Sequence, residues 1–223
     1  MRTYNRKIVR NIVFAGCLLV GAELLYGHWN PVHLAVYCGD GATIETIIAK
    51  GELGNYLEER DELGRTPLRL AVDVGNVAMV ERLLRLGANV EAPDHQKIGK
   101  TVLMAAVEKN NFKIMELLIK FGANINGAEG GLCGSLTGGN PLGIAITDVN
   151  LEAVKMLLGA GARVDIPPAD NLKECVAMIG QNRSFRYHTD ELTSAQYQKI
   201  TKIIDLLREK YQEQHGIVPP RPF

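Results

Sequence analysis

The sequence predicts an all-α solenoid of about four to five helix-turn-helix repeats, closed by a long C-terminal capping helix. Segments of the same form begin at Asn30, Thr66 and Thr101, at intervals of 36 and 35 residues. Each segment holds two short apolar runs at helical spacing, separated by a turn signal. One such unit cannot bury its apolar face alone, whereas a stack of several can.

The first helix of each repeat is predicted from its opening residues. Thr66, Thr101 and Asn140 stand where a side-chain oxygen can cap a helix N-terminus. Pro67 and Pro141 follow directly, at the first helical position, where a missing N–H costs little. These signals place a helix start at the same point of successive repeats.

The second helix of each repeat is predicted from apolar spacing and from the glycine that follows it. In the second repeat, Val80, Leu83 and Leu84 lie on one helical face. A glycine follows this helix in three repeats, where a left-handed residue commonly ends a helix: Gly87, Gly122 and Gly161.

The stretch 64–92, GRTPLRLAVDVGNVAMVERLLRLGANVEA, resembles the ankyrin repeat. The same frame recurs in NPVHLAVYCGDGATIETIIAKG, GKTVLMAAVEKNNFKIMELLIKFGANIN and GNPLGIAITDVNLEAVKMLLGAGARVD. The resemblance covers residues 29–211, with repeats near 30–60, 61–94, 95–127 and 138–167 and a degenerate repeat at 168–211. It implies a non-catalytic protein-binding module, in which His33 has the structural task of bonding the backbone of a neighbouring repeat.

The last predicted helix, 194–211 (SAQYQKITKIIDLLREKY), fits the end of such a stack. Its apolar residues form one stripe that includes Ile200, Ile203, Ile204 and Leu207, and the remaining positions are mostly polar. A terminal repeat needs such a polar outer face. Residues 212–223 are expected to be a flexible tail.

No chemical motif points to an enzyme, a cofactor or a metal. The four cysteines are far apart and form no CxxC pair, and the five histidines do not cluster. IGKT at 98–101 would need a glycine five residues before Gly99, where Asp94 stands. The 25 acidic and 25 basic residues balance, which gives no electrostatic reason to expect nucleic acid as a partner.

The ankyrin resemblance implies that fingertips and the exposed sides of first helices contact a protein partner. Leu63 is informative because the stack does not need a leucine at a fingertip. Leu132 lies in the Gly-rich insertion 127–139, which is either a contact loop or a tolerated insertion. Cys38 in the first repeat and Thr147 in the fourth are expected on the same exposed side of the first helix. The candidate contact residues are Tyr37, Leu63, Arg65, Leu70, Asp73, Val74, Lys97, Lys100, Met104, Glu108, Lys109, Leu132 and Asp148.

Residues 1–22 are interpreted as an export signal, a lipoprotein signal or an anchor. Four basic residues precede the apolar run IVFAGCLLVGAELLY at 12–26. Cleavage after Ala22 would fit a signal peptide, and FAGC resembles a lipobox in which Cys17 is lipidated. A short membrane anchor and an N-terminal cap on the first repeat stay open as alternatives. The first two interpretations predict a periplasmic location, and the cap predicts a cytoplasmic one.

A small exported ankyrin-type protein without chemistry is similar to immunity proteins that accompany phospholipase toxins of the type VI secretion system. That resemblance implies a monomer in a 1:1 complex with a toxin, with membrane contact only through the N-terminal segment. The alternatives are a cytosolic or host-directed adaptor, and a periplasmic stress-protection partner.

Overall fold

The computed structural model describes residues 30–92, 100–127, 140–164 and 194–216. The regular elements within these ranges are all α-helices. The chain divides into two compact units, residues 1–98 and 99–223. Across the ranges that the structure covers, no helix combines the length and the apolar character that crossing a bilayer requires.

Unit 1 contains two helix pairs joined by a longer connection. The pairs are α1 (Pro31–Cys38) with α2 (Gly41–Ala49), and α4 (Pro67–Val74) with α5 (Val77–Arg85). The connection includes a single helical turn, α3 (Leu53–Tyr56), which the sequence did not predict. Helix α1 packs against both α2 and α4, and α4 packs against α5. The first helices therefore form an inner layer covered by the second helices.

The predicted cap of α4, Thr66, is confirmed, and Asn30, which the sequence marked only as the start of a repeat, caps α1 in the same way. The side chain of Asn30 accepts a hydrogen bond from the backbone N–H of His33 at 2.9 Å, and Thr66 caps α4 in the same way. The first helices end at Gly39 and Gly75, whose φ angles of 70° and 77° lie in the left-handed region. The tight turn into the second helix needs this conformation, which glycine adopts without steric cost.

Unit 2 repeats the pattern and adds the terminal helix. Its pairs are α6 (Val102–Glu108) with α7 (Phe112–Lys120), and α8 (Pro141–Thr147) with α9 (Leu151–Gly159). The left-handed position after the first helix is held here by Asn110 (φ 54°) and Val149 (φ 50°). Helix α6 packs against α7 and α8, and α8 packs against α9.

The last helix, α10 (Ser194–His215), packs on α9 as the predicted terminal helix. Its predicted apolar residues are buried: Ile200, Ile203, Ile204 and Leu207. The expectation that residues from 212 onward form a flexible tail is wrong for 212–215, which are helical. The side-chain amide of Gln214 accepts from Val164 N at 2.9 Å and donates to the carbonyl of Ala162 at 3.0 Å. Helix α10 is thereby fastened to the backbone that follows α9.

Several sequence predictions fall outside the described residues. These are the N-terminal segment 1–22, the Gly-rich insertion beyond Gly127, and the first helix and loop of the degenerate repeat. Each of the four described helix pairs lies within one predicted repeat.

Candidate protein-interaction surface

The fingertip of unit 1, residues 61–65, is a tight turn fixed by one buried carboxylate. The side chain of Asp61 is 0% exposed, and its Oδ1 accepts hydrogen bonds from the backbone N–H groups of Leu63 (3.0 Å) and Arg65 (2.9 Å). The turn is closed by Gly64 N–H, which donates to the Asp61 carbonyl at 2.8 Å, and Gly64 has a φ of 72°. The backbone of the fingertip is therefore held without any partner protein.

Leu63 stands at the tip of this turn and is 48% exposed. Its backbone is anchored through Asp61, while its side chain points away from the core. A large apolar side chain on a rigid turn contributes to binding with little loss of conformational entropy. The exposure agrees with the sequence interpretation, and the role of Leu63 in partner binding stays a prediction.

Arg65 joins the fingertip to the first helix of its repeat. Its guanidinium contacts Asp61 Oδ2 through Nε at 2.8 Å and through Nη2 at 2.7 Å, and its Nη1 lies 3.5 Å from Asp73 Oδ2. Arg69 Nε lies 3.2 Å from the other oxygen of Asp73. The structure thus brings the two candidate contact residues Arg65 and Asp73 together, as members of an ion-pair network in which each side chain is only about one-fifth exposed.

His33 anchors the fingertip from the preceding repeat. Its Nε2 lies 2.9 Å from the backbone carbonyl of Arg65. Because a carbonyl only accepts, Nε2 must carry the proton and donate. Burial of the ring lowers the pKa of His33 below its usual 6.5, which favours the neutral form. The structural role that the ankyrin resemblance implied for this histidine is confirmed.

The expectation that Leu70 and Met104 lie on exposed helix sides is wrong. Leu70 is 2% exposed and Met104 is 4% exposed, and Thr147 is likewise buried. The cause is that the first helices α4, α6 and α8 have only two turns and are covered by two neighbouring helices each. Their buried stretches run without interruption from 67 to 72, from 102 to 107 and from 141 to 147.

Only the C-terminal ends of the first helices remain open to a partner. Tyr37, Asp73 and Val74 are partly exposed there in unit 1, and Glu108, Lys109 and Asp148 are exposed in unit 2. Cys38 is half-buried with a free thiol, and burial raises its pKa.

In unit 2, a second charged group lies at these helix ends. Lys100 Nζ contacts Glu108 Oε2 at 2.5 Å, and this ion pair spans the whole of α6. Burial, and then the nearby negative charge of Glu108, raise the pKa of Asp148 above its usual range. The structure therefore brings together three predicted residues, Lys100, Glu108 and Asp148. Lys97, Leu132 and Cys17 lie outside the described residues.

Sequence reasoning did not select the residues that support this surface. Asp61 carries the fingertip, and its signal was the spacing of Asp61 and Gly64, because Asp at the first and Gly at the fourth position is typical of a type I turn. Asn30 donates from Nδ2 to the Tyr56 carbonyl at 3.1 Å and to Glu59 at 2.9 Å. No spacing rule predicts that contact, since it crosses the unexpected α3 connection.

Models of the ankyrin repeat match two adjoining parts of this sequence. A single-repeat model matches residues 63–95, and a model of three ankyrin repeats matches residues 92–167. The chain contains ankyrin repeats. It is also 33% identical over 85 residues to Inversin from Gallus gallus, an alignment that covers 38% of this chain and 7% of Inversin. Ankyrin repeats are protein-interaction modules and typically non-catalytic, and the described residues contain no group of three or more His, Cys, Asp or Glu suited to a metal.

Proposed function

We propose that this ankyrin-repeat protein is an immunity protein that binds one molecule of a secreted, lipase-type antibacterial toxin. The observation that carries the proposal is the fingertip, in which Leu63 is 48% exposed on a turn that the buried Asp61 holds rigid. An inhibitor without chemistry of its own acts by covering the partner's active site. A fixed, protruding apolar side chain suits that task, because it can enter the mouth of a lipid-binding cleft.

The binding free energy expected from Leu63 is modest when it is worked from buried area and larger when the side chain lies at the centre of an interface. Full burial of a leucine side chain is worth about 1.5–3 kcal/mol, and this side chain is already about half buried. Area alone therefore suggests about 1 kcal/mol. Anchor residues at the centre of an interface cost roughly 2 kcal/mol or more when removed, because their neighbours exclude water. We expect Leu63 to act as such an anchor.

The charges beside the fingertip favour specificity over affinity. Arg65 and Arg69 are balanced by Asp61 and Asp73, so these groups offer a partner oriented dipoles with little net charge. Complementary charges at an interface mainly set the association rate and the register of binding. Variants of Arg65 and Asp73 should therefore change selectivity between related toxins more than Leu63 variants do.

The proposed site of action is the periplasm, reached through residues 1–22. This part of the proposal is supported by the basic start of the chain and by the apolar run that follows it. Loss of residues 1–22, or a lipid on Cys17, would be the product of export. A lipase toxin that attacks the membrane from the periplasmic side would meet the inhibitor there.

The test combines the location of the protein with its protective effect. The full-length chain is expressed in a Gram-negative host, the cell is fractionated, and the intact mass is measured. A periplasmic lipase-type toxin, taken from the genes beside this one, is then expressed with wild-type protein, with Leu63→Asp, or with Ala78→Asp. Ala78 is exposed on α5 of the same unit, so its variant is a matched control for an added surface charge.

Periplasmic recovery, survival with the wild type and with Ala78→Asp, and death with Leu63→Asp are the expected results. An unprocessed chain in the cytosol that gives no protection would instead favour a cytosolic or host-directed adaptor. Periplasmic recovery without protection against the toxin would favour a stress-protection partner. Protection by Leu63→Asp would contradict the fingertip as the binding surface.

A further inference from the structure

Two large apolar side chains are exposed among the residues that the structure describes, Leu63 at 48% and Phe112 at 37%. The first belongs to the fingertip of unit 1. Phe112 is the first residue of α7, directly after the turn that joins α6 to α7. The connection that corresponds to a fingertip in unit 2 follows the other end of α7, so Phe112 lies at the opposite edge of its repeat.

The other repeats show that the stack does not need an aromatic residue here. Gly41, Val77 and Leu151 open the second helices of their repeats, and each of them is partly buried. A glycine at the equivalent position leaves α2 intact, so the phenylalanine ring is not required for helix formation. Phe112 is both the largest of the four residues and the most exposed.

Two lysines flank this ring. Lys109 is the C-cap residue directly after α6 and Lys113 follows Phe112, and both are exposed. Within the described ranges neither lysine forms an ion pair, whereas Lys100 and Lys155 are paired with Glu108 and Glu152. The carboxylate next to Lys109 in sequence is therefore already engaged by another lysine. The nearest acid along α7 is Glu116, which lies one turn further on and pairs with neither lysine.

The backbone that presents these side chains is held in place. Asn111 caps α7 by accepting a hydrogen bond from Ile114 N–H at 3.2 Å. The side chain of Asn110 accepts a hydrogen bond from the side chain of Asn150, which ties this turn to the equivalent turn of the next repeat. A surface fixed in this way binds with less loss of entropy than a mobile loop does.

We propose that Lys109, Phe112 and Lys113, which we call the turn patch, form a second docking surface for a protein segment in which acidic residues flank an apolar side chain. The exposed ring supplies the apolar contact, and the two ammonium groups, which form no ion pair with any described residue, supply charge complementarity to carboxylates. Because the turn patch lies at the edge opposite the fingertip side of its repeat, it does not depend on the inhibitor role proposed for Leu63.

The test uses a displayed library of random peptides selected on the full-length protein. Selected peptides are measured against wild type, Phe112→Ala, Phe112→Leu, the charge reversal Lys109→Glu with Lys113→Glu, and Lys120→Glu. Lys120 is an exposed lysine at the far end of α7 without an ion pair among the described residues, so its variant controls for a change in net charge. Circular dichroism confirms that each variant is folded.

The turn patch predicts enriched peptides that carry Asp or Glu around an aliphatic or aromatic residue. Phe112→Ala and the charge reversal should each lower the affinity for these peptides by roughly tenfold or more. The affinity should also fall with added salt. Phe112→Leu, Lys120→Glu and Leu63→Asp should bind as the wild type does.

Four outcomes would overturn the proposal: no enrichment, peptides rich in basic residues, peptides that bind the charge reversal as well as the wild type, or binding that Phe112→Ala leaves unchanged. Vesicles of phosphatidylserine are measured in parallel. If they bind through Phe112 while acidic peptides do not, the turn patch is a membrane contact and the proposal is wrong.

Discussion

Removal of the Asp61 carboxylate should loosen the fingertip and destabilise unit 1. Asp61 Oδ1 accepts hydrogen bonds from two backbone N–H groups, and Oδ2 forms an ion pair with the guanidinium of Arg65. The side chain of Asp61 is 0% exposed. A hydrogen bond to a charged group is worth about 1.5–3 kcal/mol, so the two N–H bonds alone suggest about 3–6 kcal/mol.

The measured cost should be smaller than that sum. After the change to alanine, the turn can relax so that water reaches the freed N–H groups, and Arg65 keeps its contact with Asp73 at 3.5 Å. We therefore expect Asp61→Ala to lower the free energy of unfolding by about 2–4 kcal/mol. Asp61→Asn keeps one neutral acceptor oxygen and loses the ion pair, so its cost should be about half as large.

The assay is urea denaturation combined with hydrogen exchange of single amides. The Leu63 and Arg65 amides should exchange at least tenfold faster in Asp61→Ala, because their acceptor is gone. Ala78→Asp changes an exposed residue on α5 of the same unit and should stay within about 0.5 kcal/mol of the wild type. A cost below about 0.5 kcal/mol for Asp61→Ala, with both amides still protected, would show that the carboxylate does not hold the fingertip.

Four further substitutions, one of them measured at two pH values, test other parts of the fold. The folded state lowers the pKa of His33 below 6.5. As the pH falls through 6.5, the unfolded chain therefore gains a proton on this residue before the folded chain does. The free energy of unfolding should be highest above that pH and decrease below it. The free energy of unfolding, measured by denaturation at about pH 7.5 and about pH 5.5, should fall less between these two pH values in His33→Gln than in the wild type. Val149→Gly should lower the free energy of unfolding by at most about 1 kcal/mol, because glycine removes the strain of a β-branched side chain in the left-handed region and this offsets the lost apolar burial. Val154→Ala, at a side chain that is 0% exposed, should lower it by about 2–3 kcal/mol. Gln214→Ala should lower the free energy of unfolding by about 1–2 kcal/mol and speed hydrogen exchange of the Val164 amide, because this one side chain makes both hydrogen bonds to the backbone after α9. Unchanged exchange of that amide would contradict the role of Gln214 in fastening α10.

The helix pairs could be predicted because their signals are local. Thr66 and Pro67 mark a helix start whatever surrounds them, and the same holds for Gly87 after a second helix. The burial of Leu70 and Met104 could not be read in this way. Helical spacing shows which residues share a face, but it does not show that a two-turn helix is covered by neighbours on more than one side.

The candidate site was predictable in its exposed residues and not in its supports. Leu63 stood out because an apolar residue in a polar turn has no role in the stack. Asp61 was hidden, since a buried carboxylate that accepts backbone N–H groups has the same sequence appearance as a solvated one. Val149 was also unexpected, because Gly39 and Gly75 fill the same left-handed position in unit 1 and only the backbone reveals the substitution.

The inhibitor role proposed for the fingertip is tested most directly by a calorimetric titration of a candidate lipase-type toxin, taken from the genes beside this one, with the purified protein, run beside Leu63→Asp and Ala78→Asp. We expect one molecule of protein per toxin, loss of lipase activity at the equivalence point, and binding at least tenfold weaker for Leu63→Asp but unchanged for Ala78→Asp. Equal binding by all three proteins, or binding that leaves the lipase fully active, would contradict it.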